Sequence, residues 1–266
     1  MILAILQARV SSSRLPGKVL KPILGRPMLE RQLERVARAE LIDRLIVATS
    51  GQPEDDAIAD LCRYAAFECF RGSLIDVLDR YYQAARRYRP DTVVRLTGDC
   101  PLADPDVIDL GIRFFLENRF DYAGNCVERT YPIGLDAEVF RFACLEQAWR
   151  AARLPSEREH VTPFIKNHPE KFSIGHFKND RDLSSHRWTV DEPADYEFVK
   201  AVYEALYPTN PRFTTDDILR LLAERPELTK INHYIIHGQG YQKSLKEDAE
   251  FSTEKNPTKA DRSNDE

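Results

Sequence analysis

Short apolar runs alternate with amphipathic segments over the first half of the chain. The apolar runs predict β-strands at Ile2–Leu6, Leu45–Thr49, Phe67–Phe70 and Thr92–Leu96. The amphipathic segments predict helices at Pro27–Arg38, Glu54–Ala65, from an N-cap at Ser73 to Tyr88, and at Asp104–Asn118. Because strands that alternate with helices form a mostly parallel sheet covered on both faces, the pattern predicts an α/β fold.

The alternation becomes less regular after Asn125. We predict strands at Leu135–Phe140 and Phe172–Phe177, the latter at an edge, and helices at Cys144–Arg153 and Glu157–His168. We interpret residues of about 126–178 as a small lobe inserted in the sheet domain. The regular pattern resumes at Arg187–Val190, with helices at Pro193–Leu206 and Thr215–Ala223, so we assign residues 1–238 to one domain.

Residues 239–266 differ from the rest of the chain. They are rich in charge, and their large apolar residues are limited to Tyr241, Leu245 and Phe251. So little apolar surface cannot offset the entropy lost on ordering. We therefore predict a disordered tail or a loose helix.

Composition excludes several classes of protein. The chain has 266 residues, of which 42% are hydrophobic and 30% charged, and its net charge is -5. An acidic balance argues against a nucleic-acid partner, and no apolar run reaches the length of a membrane span. The five scattered cysteines and a start without the basic region of a signal peptide predict a cytoplasmic protein.

The most informative segment is the loop after the first predicted strand, Gln7-Ala-Arg-Val-Ser-Ser-Ser-Arg-Leu-Pro-Gly-Lys18. It carries the cations Arg9, Arg14 and Lys18, and its serines allow the backbone to approach a ligand. A basic loop at the carboxyl end of a strand in an α/β fold typically holds a nucleotide phosphate. Arginine can donate paired hydrogen bonds to phosphate, and lysine supplies a mobile charge. The spacing is neither a Walker A motif nor GxGxxG, and the alternative is a solvated basic loop.

Two other predicted strands end in an aspartate. Asp99 follows Thr97 and Gly98, and Asp191 follows the run that starts at Trp188. A carboxylate at this edge of the sheet suits Mg²⁺, which takes one or two carboxylates and completes its shell with water and phosphate oxygens. We predict that Asp99 and Asp191 bind one magnesium ion. The alternative for Asp99 is a cap of the following turn.

Weaker signals suggest contacts to a second substrate. In the segment Tyr131–Phe140, Gly134 permits a close approach, and Asp136 and Glu138 share one face of a strand. They are candidates to hold acceptor hydroxyls, or are exposed polar residues of an edge strand. Arg71, ahead of a helix, is a candidate for a phosphate or base contact. His160 is a candidate substrate contact, although a lone histidine on a helix is more often structural.

These motifs resemble those of the cytidylyltransferases that make CMP-activated sugar acids. The resemblance rests on Ala8-Arg9, Ser12–Lys18, Gly98-Asp99 with Pro101-Leu102, and Val190–Asp195, in that order. The opening motif is most similar to CMP-Kdo synthetase. The whole is most similar to the SpsF-like branch of spore coat polysaccharide proteins, in which the motifs at Arg71–Arg80 and Gly134–Phe140 also occur. The resemblance to the cytidylyltransferases covers about residues 1–207.

The resemblance implies a Rossmann-like nucleotidyltransferase domain of the GT-A type, with CTP as donor, Mg²⁺ as cofactor and a homodimeric assembly. It also implies that Leu6 to Ala8 present backbone groups to the base. We predict a nucleotide-binding set of Leu6, Gln7, Ala8, Arg9, Ser12, Ser13, Arg14, Lys18, Arg71, Thr97 and Gly98. Within the site, we predict catalytic roles for Arg14, Lys18 and Asp99 and substrate contacts from Gly134, Asp136, Glu138 and His160.

The function that follows is the activation of a sugar or sugar acid with CTP for surface polysaccharide synthesis. Two alternatives differ in their chemistry. A GT-A-type glycosyltransferase would consume a nucleotide sugar and release no pyrophosphate, and a non-catalytic nucleotide-binding protein of a polysaccharide pathway would bind without turnover.

Overall fold

The computed structural model describes residues 1–236 and 238–255, excluding the side chains of residues 254 and 255. In these residues the strands are β1 (Ile2–Gln7), β2 (Pro22–Ile23), β3 (Arg26–Pro27), β4 (Arg44–Ser50), β5 (Glu68–Gly72), β6 (Thr92–Thr97), β7 (Tyr122–Gly124), β8 (Glu138–Arg141) and β9 (Ile174–His176). The α-helices are α1 (Met28–Val36), α2 (Asp56–Tyr64), α3 (Val77–Arg86), α4 (Pro105–Asn118), α5 (Phe142–Ala151), α6 (Pro155–His160), α7 (Pro163–Lys166), α8 (Pro193–Leu206), α9 (Thr215–Glu224) and α10 (Gln239–Lys255).

Seven strands form the main sheet, in the order β5-β4-β1-β6-β8-β7-β9. Strand β8 is antiparallel to both of its neighbours, and every other pairing in the sheet is parallel. Strand β1 lies between two partners, with Leu6 opposite Val47 on one side and Leu96 on the other. The predicted α/β fold with a mostly parallel sheet is therefore confirmed.

Helices cover both faces of the sheet. Successive residues of β1 point to opposite faces, so this strand contributes to the apolar core on each side. Leu3 and Ile5 belong to an apolar cluster that includes residues of α3, α5 and α7. Ala4 and Leu6 belong to a second cluster with residues of α1, α4, α8 and α9. A strand buried on both faces reads as a continuous apolar run, which is why the sequence pattern identified β1.

The loops after β1 and β6 leave the sheet side by side at its carboxyl edge. The chain passes from β1 to β4 on one side and reaches β6 on the other, which makes this edge a topological switch point. The Gly98 amide donates to the Gln7 carbonyl oxygen at 2.7 Å. A Cβ atom at Gly98 would lie 2.9 Å from that oxygen, so glycine allows the two loops to touch and brings Asp99 beside the basic loop.

Much of segment 126–178, which we predicted to be a small lobe inserted in the sheet domain, packs with that domain. Its strands β8 and β9 extend the main sheet, and Leu145 and Phe164 share an apolar cluster with Ile5. The predicted helix over Glu157–His168 is instead divided into α6 and α7. Val161 between them has a positive φ of 71°, and the proline that opens α7 cannot continue the preceding helix.

Residues 187–190 form no strand of the main sheet, contrary to the pattern. An isolated bridge joins Arg187 to Ile133, and the Val190 amide donates to the Asp99 carbonyl oxygen at 2.7 Å. Beside this segment, Gly134 has a φ of 107°, and a Cβ atom there would lie 2.5 Å from the Thr189 amide nitrogen. The segment is thus held against the loop after β6.

The charged tail, for which we expected disorder or a loose helix, forms helix α10 over Gln239–Lys255. Polar contacts, which the count of apolar residues does not reveal, hold the helix against α6. The Ser156 amide donates to Asp248 at 2.8 Å, and the Ser244 hydroxyl donates to Glu159 at 2.9 Å. The rest of the predicted tail, 256–266, lies outside the described residues. Within the described ranges no helix has the length and apolar character of a membrane span.

We predict that Gly134→Ala destabilises the fold by about 2–3 kcal/mol, because a side chain there combines a left-handed backbone with a clash against Thr189. Urea unfolding monitored by circular dichroism measures the loss. Gly51→Ala is the matched control, since its Cβ would meet no atom closer than 3.6 Å. Equal stability of the two variants would contradict the assignment of Gly134 to packing.

Candidate active site

A cavity of about 340 Å³ opens at the carboxyl edge of β1 and β6. The loop after β1, the loop after β6, the end of segment 187–191, and helices α3, α6 and α10 provide its walls. The structure brings together most of the predicted residues there, namely Gln7, Ala8, Arg9, Ser12, Ser13, Arg14, Lys18, Thr97, Gly98, Asp99, His160 and Asp191.

Lys18 joins the segments that form this cavity. Its ammonium nitrogen lies 3.2 Å from Asp99 Oδ2 and 2.9 Å from Asp191 Oδ1. It also donates to the Val190 carbonyl oxygen at 2.7 Å. The Lys18 side chain is only 10% exposed, so a buried cation links three segments that are far apart in the sequence.

The electrostatics of Asp99 follow from this arrangement. Burial opposes its ionised form, but the charge of Lys18 and a 2.6 Å hydrogen bond from the Thr97 hydroxyl outweigh that effect. Together they lower the pKa of Asp99 to about 2. The carboxylate is therefore ionised over the whole neutral range, as a ligand of a cation must be.

Asp191 is positioned by a second buried network. Arg187 donates hydrogen bonds to both carboxylate oxygens of Asp195, at 2.8 and 2.9 Å. Asp195 also accepts a hydrogen bond from the backbone amide of Asp191 at 3.0 Å. Arg14 then contacts Asp191 from the basic loop at 3.0 Å. The fully buried Asp195 thus fixes the backbone that carries Asp191, while Asp191 itself faces the cavity.

The pair of carboxylates fits a magnesium ion. Oxygen atoms of Asp99 and Asp191 converge on one position, where Lys18 shows that a cation is accommodated. Within the described residues, no group of three or more His, Cys, Asp or Glu side chains is arranged around a metal position. A protein nevertheless usually contributes only one or two carboxylates to a magnesium site, and water and phosphate oxygens complete the coordination.

The cavity is strongly cationic although the whole chain is acidic. Among the described residues, six lysine or arginine side chains line it against three carboxylates. Sequence reasoning missed three of the cations, namely Arg80 of α3, Arg95 of β6 and Lys243 of α10. Arg80 is 1% exposed and donates to the Ser73 carbonyl oxygen, but its Nε has no partner. A buried guanidinium with a free donor at a cavity wall favours an anionic ligand.

The structure places three predicted residues elsewhere. Arg71 lies outside the cavity and pairs with Asp56, because β5 is an edge strand two positions from β1. Leu6 is fully buried in the core, where its backbone belongs to the ladders with β4 and β6. Gly134 lines neither this cavity nor its neighbour, since its close contact is with segment 187–190.

A second cavity of about 700 Å³ adjoins the first. The two share Arg95, Thr97 and His160 as lining residues. The predicted substrate residues Asp136 and Glu138 line the second cavity, together with the additional cations Arg129 and Lys166.

Glu138 organises the wall of this second cavity. It pairs with Arg95 and lies 3.2 Å from Lys166, and it accepts hydrogen bonds from Tyr122 and Thr162 at 2.6 and 2.7 Å. Burial opposes its ionisation, but Lys166 and Arg95 outweigh it and lower the pKa of Glu138. Because its oxygens are occupied, Glu138 holds cations at the cavity, a role that differs from the predicted grip on acceptor hydroxyls.

Comparison with known proteins agrees with this geometry. Residues 3–230 match the sequence profile of a family described as Cytidylyltransferase. The chain is 33% identical over 237 residues to the spore coat polysaccharide biosynthesis protein SpsF of Bacillus subtilis (strain 168), a match that spans 85% of this chain and 95% of SpsF.

Solved structures give the same result. A cytidylyltransferase from Leptospira borgpetersenii serovar Hardjo-bovis (strain JB197) superposes with a TM-score of 0.83 at 35% identity, over 89% of this chain and 99% of that one. CMP:2-keto-3-deoxy-manno-octonic acid synthetase, solved in complex with CTP, superposes with a TM-score of 0.59 at 18% identity, over 76% and 98% of the two chains. At that identity the second match concerns the fold alone.

We predict that Lys18→Met removes about 2–3 kcal/mol of stability at pH 7, because the lowered pKa of Asp99 is a free energy that Lys18 largely supplies. Since that pKa is about 2 in the folded protein and about 3.9 in an unfolded chain, the contribution is complete above pH 5 and disappears as the pH falls towards 2. The difference between wild type and variant should shrink accordingly.

Urea unfolding between pH 2.5 and 7 measures this difference. Lys200→Met, which breaks an exposed pair with Glu204, is the control and should change stability by less than about 0.5 kcal/mol at every pH. A difference between wild type and Lys18→Met that does not vary with pH would rule out the assigned role of Lys18.

Proposed function

Since the chain belongs to the cytidylyltransferase family of CTP-dependent nucleotidyltransferases, we propose that it activates a sugar or sugar acid with CTP for surface polysaccharide synthesis. The products are a CMP-sugar and pyrophosphate. The observation that carries the proposal is the position of Lys18, whose ammonium group contacts both Asp99 and Asp191. That contact places the basic loop and both predicted metal ligands in one cavity.

The proposed reaction is a displacement at phosphorus. A sugar hydroxyl oxygen forms a bond to the α-phosphorus of CTP, and the bond from that phosphorus to the β-phosphate oxygen breaks. Pyrophosphate leaves with the electron pair, and the hydroxyl proton passes to water. Negative charge increases on the oxygens around the α-phosphorus and on the departing group.

The residues of this chain act mainly by electrostatics and positioning. Arg9, Arg14 and Lys18 extend along the loop beside the phosphates, and Arg14 and Lys18 stabilise the charge that develops. Ser12 and Ser13 line the same wall and can donate hydrogen bonds. Magnesium held by Asp99 and Asp191 would neutralise phosphate charge and lower the pKa of the attacking hydroxyl.

The acceptor belongs in the second cavity. It adjoins the nucleotide cavity at Thr97 and His160, so a sugar there could reach the α-phosphate. Its cations Arg129 and Lys166 suit an acceptor that carries a carboxylate. Burial lowers the pKa of His160, so this residue is neutral at pH 7 and offers a hydrogen bond without charge.

Asp99→Asn and Asp191→Asn should each keep the fold and lower turnover by about 10²- to 10³-fold, comparable to the loss of one preorganised electrostatic group. Pyrophosphate release with CTP and magnesium measures turnover, and circular dichroism checks the fold. Asp182→Asn alters an exposed acid that lines neither cavity and should have wild-type turnover. Wild-type turnover in the Asp99 and Asp191 variants would refute their proposed role.

Arg80→Met should weaken the binding of CTP at least about tenfold, because a hydrogen bond from a buried charged donor is lost. Calorimetry with CTP and magnesium measures affinity without an acceptor. Arg71→Met is the matched control, since Arg71 pairs with Asp56 outside the cavity. Equal effects of the two substitutions would contradict the location of the nucleotide.

The donor and acceptor can be identified together. Each of the four nucleoside triphosphates is incubated with a panel of sugar acids and neutral sugars, and pyrophosphate is measured. We expect release with CTP and at least one sugar acid. Consumption of a nucleotide sugar without pyrophosphate would favour the glycosyltransferase alternative, and CTP binding without any turnover would favour a non-catalytic role.

A further inference from the structure

Helix α10 lies beyond residues 3–230, the part of the chain that matches the family. It nevertheless contributes to both cavities. Lys243 and Ser244 line the nucleotide cavity, and Tyr241 lines the neighbouring one. A segment outside the matched residues therefore contributes to the walls of both cavities.

Specific contacts fix the helix in this position. The Ser244 hydroxyl lies 3.0 Å from His160 Nε2 and donates to Glu159 Oε2 at 2.9 Å. The ring of Tyr241 meets His160 edge-to-face, with 5.2 Å between the ring centroids. One turn after Ser244, Asp248 accepts the Ser156 amide at 2.8 Å. These contacts all reach helix α6, so α10 rests on the element that carries His160.

The same contacts connect the helix to the basic loop. Glu159 accepts from Ser244 with one oxygen, and its other oxygen lies 3.7 Å from the Arg9 guanidinium. Arg9 is one of the cations assigned to the phosphates. A ligand that attracts Arg9 therefore acts on the carboxylate that anchors α10.

Lys243 has the properties of a mobile phosphate ligand. Its side chain is 79% exposed and pairs within the helix with Glu247 at 3.6 Å. An exposed pair of this kind contributes little stability, so turning the ammonium group towards an anion in the cavity costs little. The neighbouring Ser244 is buried and fixes the direction of approach.

We propose that α10 is a lid over the nucleotide and that Lys243 supplies a further cation to its triphosphate. The proposal rests on the assignment of the cavity to CTP. Asp248 lines neither cavity and acts as a positioning residue, because its contact with Ser156 holds the lid in place. Closure would shield the phosphates from water and strengthen every charge interaction beneath the helix.

The first test is Lys243→Ala in the full chain, with the affinity for CTP and magnesium measured by calorimetry. We expect the affinity to fall about fivefold, the effect of losing one partly exposed charge pair, and to recover in Lys243→Arg. Lys246→Ala removes the same charge from a position of α10 that lines neither cavity. Equal affinity in the Lys243 and Lys246 variants would overturn the role of Lys243.

The second test is Asp248→Ala, which removes the anchor without touching the cavity. Hydrogen exchange of α10 should be slowed by CTP in the wild type and not in Asp248→Ala. Asp248→Asn retains an acceptor for the Ser156 amide and should restore the effect, and Glu250→Ala is the control. Exchange that CTP leaves unchanged in the wild type would overturn the lid.

The two proposals fail differently. A wild-type protein that does not bind CTP would reject the proposed function and the lid with it. A wild-type protein that binds CTP and releases pyrophosphate, with Lys243→Ala and Asp248→Ala unchanged, would reject the lid alone.

Discussion

A single buried ammonium group organises the functional end of this protein. Lys18 neutralises Asp99 and Asp191, which come from distant parts of the chain, and binds the carbonyl group that precedes Asp191. Two carboxylates that close would repel each other if no cation lay between them. The sheet topology brings the segments that carry Asp99 and Asp191 to one edge, and the charge of Lys18 reduces the repulsion between the two carboxylates. The same pair of carboxylates is the pair that we propose to hold a metal ion beside a triphosphate.

The protein concentrates positive charge where its overall composition is negative. Its net charge is -5, yet cations outnumber carboxylates around the nucleotide cavity among the described residues. Some of these cations, such as Arg95 beside Glu138, have a buried counterion. Arg80 is buried with no hydrogen-bond partner for its Nε among the described residues, which favours an anionic ligand in the cavity. Local arrangement, and not net charge, therefore determines what the site can bind.

The sequence was sufficient for the fold class and for the family resemblance, which is confirmed. Apolar runs identify strands that are buried on both faces. The place of Asp99 at the end of such a strand was the reason to predict it as a site residue. Sequence was insufficient where tertiary contacts decide. Arg71 precedes a helix as a phosphate ligand would, but its strand lies at the sheet edge. Arg80 was not among the predicted site residues, and the contacts of α10 with α6 were not predicted, because a sequence does not display burial or long-range hydrogen bonds.

The wall that the two cavities share has a consequence for how acceptor preference could be altered. Arg95, Thr97 and His160 line both cavities, so under the proposed assignment a substitution at any of them would affect the binding of the donor as well as of the acceptor. The far wall, which includes Val127, Asn167 and His176, lines the second cavity alone. Under the same assignment, substitutions at those positions would alter which sugar is accepted and leave the proposed reaction at phosphorus unchanged.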